Sequence, residues 1–195
     1  MRRESQGGEG SVTVGGAVIV SRNKASGSGS GGGIYLSNGA NLVLQDNVVV
    51  AGNTAGKSGG GVCTEDMGNI TLAGTSQVYD NVAAVCGGGV YAHGGVSLMD
   101  KISIMGNHAK IGGGAYAEKG VMSVLMDAKI SNNKADVWGG GAYADEREII
   151  VDGNAVILYN EAESSGGGVF AYQGIVALGG NATLMHNSAK RVHGG

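Results

Sequence analysis

Apolar side chains recur at alternate positions in short runs along this chain. One set pairs Val12 with Val14, Leu42 with Leu44, Ile70 with Leu72, Val96 with Leu98, Met122 with Val124, Ile149 with Val151 and Val176 with Leu178. A second pairs Val18 with Val20, Val48 with Val50, Ile102 with Ile104, Ala128 with Ile130, Ala155 with Ile157 and Ala182 with Leu184, and only Ser76 with Val78 breaks it. A period of two predicts strands with one buried face. A third run follows each glycine triplet, as in GGGIYLS and GGGAYAD. Three short strands recurring about every 27 residues predict an all-β chain wound as a parallel β-helix, a β-solenoid of six to seven coils. Coils stacked at the strand spacing would make a rod roughly 30 Å long.

Two fixed phrases anchor the repeat. Gly-Gly-Gly begins at Gly31, Gly59, Gly87, Gly112, Gly139 and Gly166, and a phrase of the form aliphatic-x-x-Asn-x-Ala carries Asn23, Asn53, Asn81, Asn107, Asn133, Asn160 and Asn187. Stacked coils turn these positions into columns. The glycine column tolerates positive φ and close backbone approach, and the asparagine column can pass amide hydrogen bonds between coils. Loop length is read as varying mainly between the first and second strands, which marks that corner as the adaptable one. The stretch VVVAGNTAGKSGGG imitates a phosphate-binding loop, but GNTAGKS is one copy of the asparagine phrase, and three glycines cannot open the helix such a loop requires.

Composition constrains function more than fold. Forty glycines and no proline among 195 residues, with 42% hydrophobic residues, describe an ordered, glycine-dependent backbone rather than a flexible chain. A formal charge of −3 gives no reason to expect nucleic acid as a partner, and no apolar run is long enough for membrane insertion by this segment. The predicted organisation is a disordered lead at 1–9, a repeat domain at 10–193 and the truncated start of a further coil at 194–195. Open coil ends at both sides would favour end-to-end self-association. Cys63 and Cys86 are read as free thiols.

The phrases GGG[Val/Ile/Ala] and [Val/Ile/Leu]-x-x-Asn resemble the paired motifs of polymorphic outer membrane proteins and related autotransporter adhesins, over about residues 10 to 193. The resemblance implies a right-handed parallel β-helix passenger, located at the cell surface or secreted. Its partner would be a host or environmental glycan or a surface protein. In this chain no copy has Phe before its Asn, and the literal GGAV at Gly15 to Val18 lies in a different register.

Candidate chemistry lies on the strand after the glycines. If Ile34, Val62, Val90, Ala115, Ala142 and Val169 point inward, the next column, Tyr35, Cys63, Tyr91, Tyr116, Tyr143 and Phe170, points outward. Such a ladder is either a flat stacking surface for sugar rings or a set of rings that stabilise neighbouring rungs. Two residues on, the same face carries Ser37, Glu65, His93, Glu118, Asp145 and Tyr172. Carboxylates one rung apart would stand near the separation used by retaining glycosidases, with Lys119 or Arg147 to bind an acidic sugar. The other readings are ligand binding and a solvated face. The expected function is a non-catalytic, adhesin-like rod whose binding face is Tyr35, Tyr91, Tyr116, Tyr143, Phe170, Glu65, His93, Glu118 and Asp145. The alternatives are a β-helix polysaccharide lyase or glycoside hydrolase, and a structural spacer. No catalytic residue, metal set or cofactor is assigned, since His93, His108, His186 and His193 fall in different columns.

Overall fold

Alternating apolar side chains, branched at Cβ or γ, need a surface to bury one face, and a neighbouring copy of the same repeat supplies it. A computed structural model of the chain describes residues 10–190. The lead at 1–9 and the coil start at 194–195 lie outside the described residues, as do the last residues of the predicted repeat domain. The described chain is a parallel β-solenoid of about seven turns without a helix. Every ladder is parallel and runs in chain order, as when Leu42 pairs with Ile70 and Val96 with Met122.

Three strands per coil follow the predicted sets. The first ladder begins with Ser11–Val14 and ends with Val176–Leu178; the second begins with Ile19–Ser21 and ends with Thr183–Met185; the third, after the glycines, runs from Ile34–Leu36 to Val169–Ala171. A short additional segment follows each asparagine, two residues long at Thr54–Ala55 and five at Lys134–Trp138, and forms its own ladder. Its alanines, Ala55, Ala83, Ala109, Ala135 and Ala162, are buried and close the core on that side. The interior is filled by the predicted pairs, with Leu42, Leu44, Ile70, Leu98, Ile104, Met122, Ile130, Ile149 and Ile157 fully buried. Ser76, the polar break in the second set, is also buried and donates its hydroxyl to the Ala73 carbonyl at 2.9 Å.

The asparagines satisfy the corner completely. Each side-chain oxygen accepts from the backbone N–H and the amide of the asparagine one coil before: Asn107 donates both to Asn133 Oδ1, at 2.9 and 3.0 Å. Its second amide hydrogen goes back to the Val78 carbonyl at 2.9 Å. The same three bonds recur at Asn53, Asn81, Asn133 and Asn160. All five are buried, so the ladder replaces water at groups that would otherwise be orphaned.

The glycine triplets are required by geometry. The first glycine of each has φ near +64°, as at Gly59, and a Cβ there would stand 2.6 Å from the Cβ of Cys63. The chain therefore folds back tightly over its own third strand. The amides of Gly59, Gly60 and Gly61 are spent on carbonyls of the next coil, and Val62–Thr64 continues as a strand, so the loop-like stretch at 48–61 offers no phosphate cradle.

Loop lengths correct one expectation. Four residues separate every first strand from its second, whereas three to five separate a third strand from the next first strand. The first corner is fixed because it turns on one left-handed residue per coil, including Asp46, Asp100 and Met126. Length varies on both sides of the third strand, and most before it, where three to eight residues follow the post-asparagine segment. In the outermost described coils inward-column residues are exposed, among them Val12, Val18, Val176 and Leu178.

Candidate functional site

Strand register stacks the outward column of the third strand as read from sequence. Tyr35 aligns with Cys63, Cys63 with Tyr91, Tyr91 with Tyr116, Tyr116 with Tyr143, and Tyr143 with Phe170. From Tyr91 onward the rings form an unbroken stack with centroids 5.4, 4.9 and 5.6 Å apart. Exposure divides them. Tyr35 is 45% exposed, whereas Tyr116 and Tyr143 keep 7% and 3%. Tyr91 and Phe170 are half-buried. The flat open surface is therefore restricted to the Tyr35 end.

Beside the rings runs the column of residues that precede each glycine triplet, in which Ser58 bridges to Cys86, Cys86 to Ile111, and both Ile111 and Ser165 to Trp138. Two of these residues meet the ladder residue one coil later: Ser30 lies within hydrogen-bonding reach of the Cys63 thiol, and Trp138 stacks on Phe170 at 6.1 Å, as well as on Tyr172 at 6.4 Å. Cys86 is near enough to bear on Tyr91, Tyr116 and Tyr143. Aligning the residues just before each triplet would have revealed this column in the sequence.

The second outward column serves the first. Tyr35 donates its hydroxyl to Glu65 Oε2 at 2.7 Å, Tyr91 donates to Glu118, and Tyr116 reaches Asp145 at 3.5 Å, each time from one coil to the next. Tyr143 donates to Asp145 of its own coil at 3.3 Å. Where the ladder has Cys63 in place of a tyrosine, the next coil has His93 in place of an acid, and its Nδ1 accepts from the Met67 N–H at 3.2 Å. His93 Nε2 stands 3.8 Å from Glu118 Oε1.

These contacts hold the phenols protonated. The Glu65 hydrogen bond, with some burial, pushes Tyr35 up to about 12. Burial first, then the bond to Glu118, raises Tyr91 further; burial also dominates at Tyr116 and Tyr143. Burial pushes both the Cys63 and Cys86 thiols up to about 12, which makes them poor nucleophiles, and both are free.

Chemically, Glu65 and Glu118 are two rungs apart with His93 between them. Glu118 and Asp145 occupy neighbouring rungs, but each carboxylate accepts a tyrosine hydroxyl. Lys119 is paired with Glu146 at 2.8 Å rather than turned toward the ladder acids. Among the described residues no group of three or more His, Cys, Asp or Glu side chains could hold a metal ion. Two clefts lie beside the open end: one of about 390 Å³ between Ser30, Tyr35, Lys57 and Glu65, and one of about 280 Å³ between Lys57, Glu65, Tyr91, His93 and Glu118. Lys57, absent from the sequence-derived site, lines both. No family model, no curated protein and no solved structure matches the chain.

Proposed function

We propose that this chain is a non-catalytic segment of a surface-exposed, adhesin-like β-helix, a rigid rod that presents the open end of its aromatic ladder to a glycan. The observation that carries this reading is the tyrosine-to-acid hydrogen bonding. The carboxylates that could have formed a catalytic pair are committed to phenol hydroxyls, and a general acid needs a proton free to give. The exposed Tyr35 with Glu65, and Tyr91 with His93 and Glu118, provide a ring face beside hydrogen-bonding groups, which suits a sugar chain. The motif resemblance to polymorphic outer membrane proteins and autotransporter passengers supports a location at the cell surface or outside the cell. Exposed inward-column residues such as Val176 and Leu178 support end-to-end self-association with a second copy.

A glycan array run beside a turnover assay on neutral and acidic polysaccharides tests the reading. Binding without new reducing ends or unsaturated products is expected. Turnover would replace it with the lyase or hydrolase alternative, and neither binding nor turnover would reduce the chain to a spacer.

A further inference from the structure

The outer face of the second ladder carries a cleft of its own, away from the aromatic rings. Register stacks Ile19 on Val49, and Ser21 on Ala51 with Tyr79 in the coil after it. Ile19 is 71% exposed, whereas Ala51 keeps 8% although it too points outward, so these side chains form an apolar floor with a wall above it. The cleft measures about 370 Å³, within the range of small-molecule sites, and Arg22, Gly52 and Asp80 edge it.

Those three residues are successive members of the left-handed corner column that ends the second strand, with φ of 57, 63 and 53°. The middle rung is empty: a Cβ at Gly52 would meet nothing within 4 Å except the Arg22 stem at 3.8 Å. Arg22 and Asp80 thus stand two rungs apart, about 10 Å along the rod, with an unfilled position between them. Neither takes part in an ion pair among the described residues. The corner's backbone is already satisfied, since the N–H groups of Arg22, Gly52 and Asp80 donate to the carbonyls of Ala51, Tyr79 and Met105. Recognition at this corner therefore falls to side chains, one cation and one anion beside an apolar floor.

We propose that the cleft binds one free α-amino acid with an apolar side chain of about leucine's size. The side chain lies on Ile19, Val49 and Ala51, the carboxylate pairs with the Arg22 guanidinium, and the ammonium pairs with the Asp80 carboxylate. A guest with a single charge leaves the opposite edge unanswered, and a charged side chain would be set against the apolar floor. The site lies on a different ladder from the glycan-binding face and does not depend on that reading.

Leucine would be titrated into the isotopically labelled full chain while its amide resonances are followed by NMR. Saturable shifts at Gly52, Tyr79 and Asp80 are expected at about millimolar ligand, the range for so small a guest. Leucinamide, which lacks the carboxylate, and 4-methylpentanoate, which lacks the ammonium, should each bind about tenfold more weakly. Arg22→Gln and Asp80→Asn change exposed corner residues and keep side chains that tolerate the left-handed backbone as the native ones do. Arg22→Gln should erase the preference for leucine over leucinamide and keep the preference over 4-methylpentanoate; Asp80→Asn should do the reverse. Shifts that do not saturate, or that arise away from Gly52, would overturn the site. Equal binding of leucine and either one-charge analogue by the native chain would overturn the assigned ligand, as would leucine binding that neither variant weakens.

Discussion

The two ends of the aromatic ladder share a backbone, a register and a side-chain direction, yet the Tyr35 ring is open to solvent while the rings of Tyr116 and Tyr143 are part of the packed interior. The pre-glycine column beside them carries Ser30 and Ser58 toward the Tyr35 end and Cys86, Ile111 and Trp138 further along. Even near the open end the outward position of Cys63 is fully buried. In a solenoid, then, exposure depends on neighbouring columns as well as on side-chain direction. An outward-facing strand position is not by itself a surface position.

The largest effect should be one that ignores this difference. The buried asparagine ladder runs unchanged from the Tyr91 coil to the Tyr143 coil, so Asn81→Leu and Asn133→Leu should destabilise alike. In each case the preceding buried asparagine loses the acceptor for two donors and one carbonyl loses its partner, about 1–3 kcal/mol for each buried group. Equilibrium urea unfolding reads the cost, expected at about 4 kcal/mol or more. A cheap Asn81→Leu beside a costly Asn133→Leu would mean the coils nearer the open end are held together differently.

Next comes the contrast itself. Tyr143→Ala removes a ring stacked on both sides and 3% exposed, and should cost about 3 kcal/mol or more. Tyr35→Ala, at 45% exposure, should cost less than about 1 kcal/mol. Comparable losses at the two positions would erase the distinction. The result bears on the expectation that Tyr116 and Tyr143 belong to an outward binding face, because their burial makes them structural first.

The fold was legible because a solenoid writes each constraint several times. A single Gly-Gly-Gly or a single Asn is weak information, but a Cβ is excluded at the same place in coil after coil and an amide is needed at the same corner, so the period appears by eye. Alternation located all three main strand sets, and the Ser76 exception turned out to be a satisfied buried hydroxyl. The site was legible only in part. Direction follows from period-two alternation along one strand, whereas the burial of Tyr116 and Tyr143 depends on what neighbouring rungs and columns place beside them, which alternation does not report. The pairing of tyrosine with the acid of the next coil was also present in the sequence, in the way Cys63 is followed by His93 while Tyr35 and Tyr91 are followed by Glu65 and Glu118. It becomes visible only when the two columns are compared one coil out of step.

A moderate effect should come from opening the closed half. Trp138→Ser exchanges the pre-glycine tryptophan for the residue found at Ser30, Ser58 and Ser165, and removes the ring stacked on Phe170 and Tyr172. The expected cost is about 1–2 kcal/mol, since Trp138 is half-buried and its neighbours remain in register. Hydrogen exchange should rise selectively in Val169–Ala171 and leave Val90–Ala92 unchanged. Faster exchange throughout the third ladder would instead make Trp138 a keystone of the whole stack.

The smallest effect is a titration, and it tests the tyrosine-to-acid pairing at the open end. Tyr35 is held protonated up to about 12, first by its hydrogen bond to Glu65 and then by burial. The neutral phenol is the form that donates to Glu65, so the folded chain keeps this proton to higher pH than the unfolded chain does. The stabilisation it contributes is fully present below the ordinary phenol value of 10.0 and is lost as pH rises through about 12. Because Tyr35 is largely open to solvent, the change in stability should be slight, and the spectroscopic shift is the better measurement. Glu65→Gln removes the carboxylate while keeping a side chain of the same shape, and should bring the Tyr35 phenolate absorbance in at lower pH, with Tyr35→Phe identifying that component of the spectrum. The phenols of Tyr91, Tyr116 and Tyr143, raised chiefly by burial, should not follow. If Glu65→Gln leaves the whole titration unmoved, the acids are not partners of the tyrosines at the open end, and their regular placement one coil ahead of each ring needs another cause.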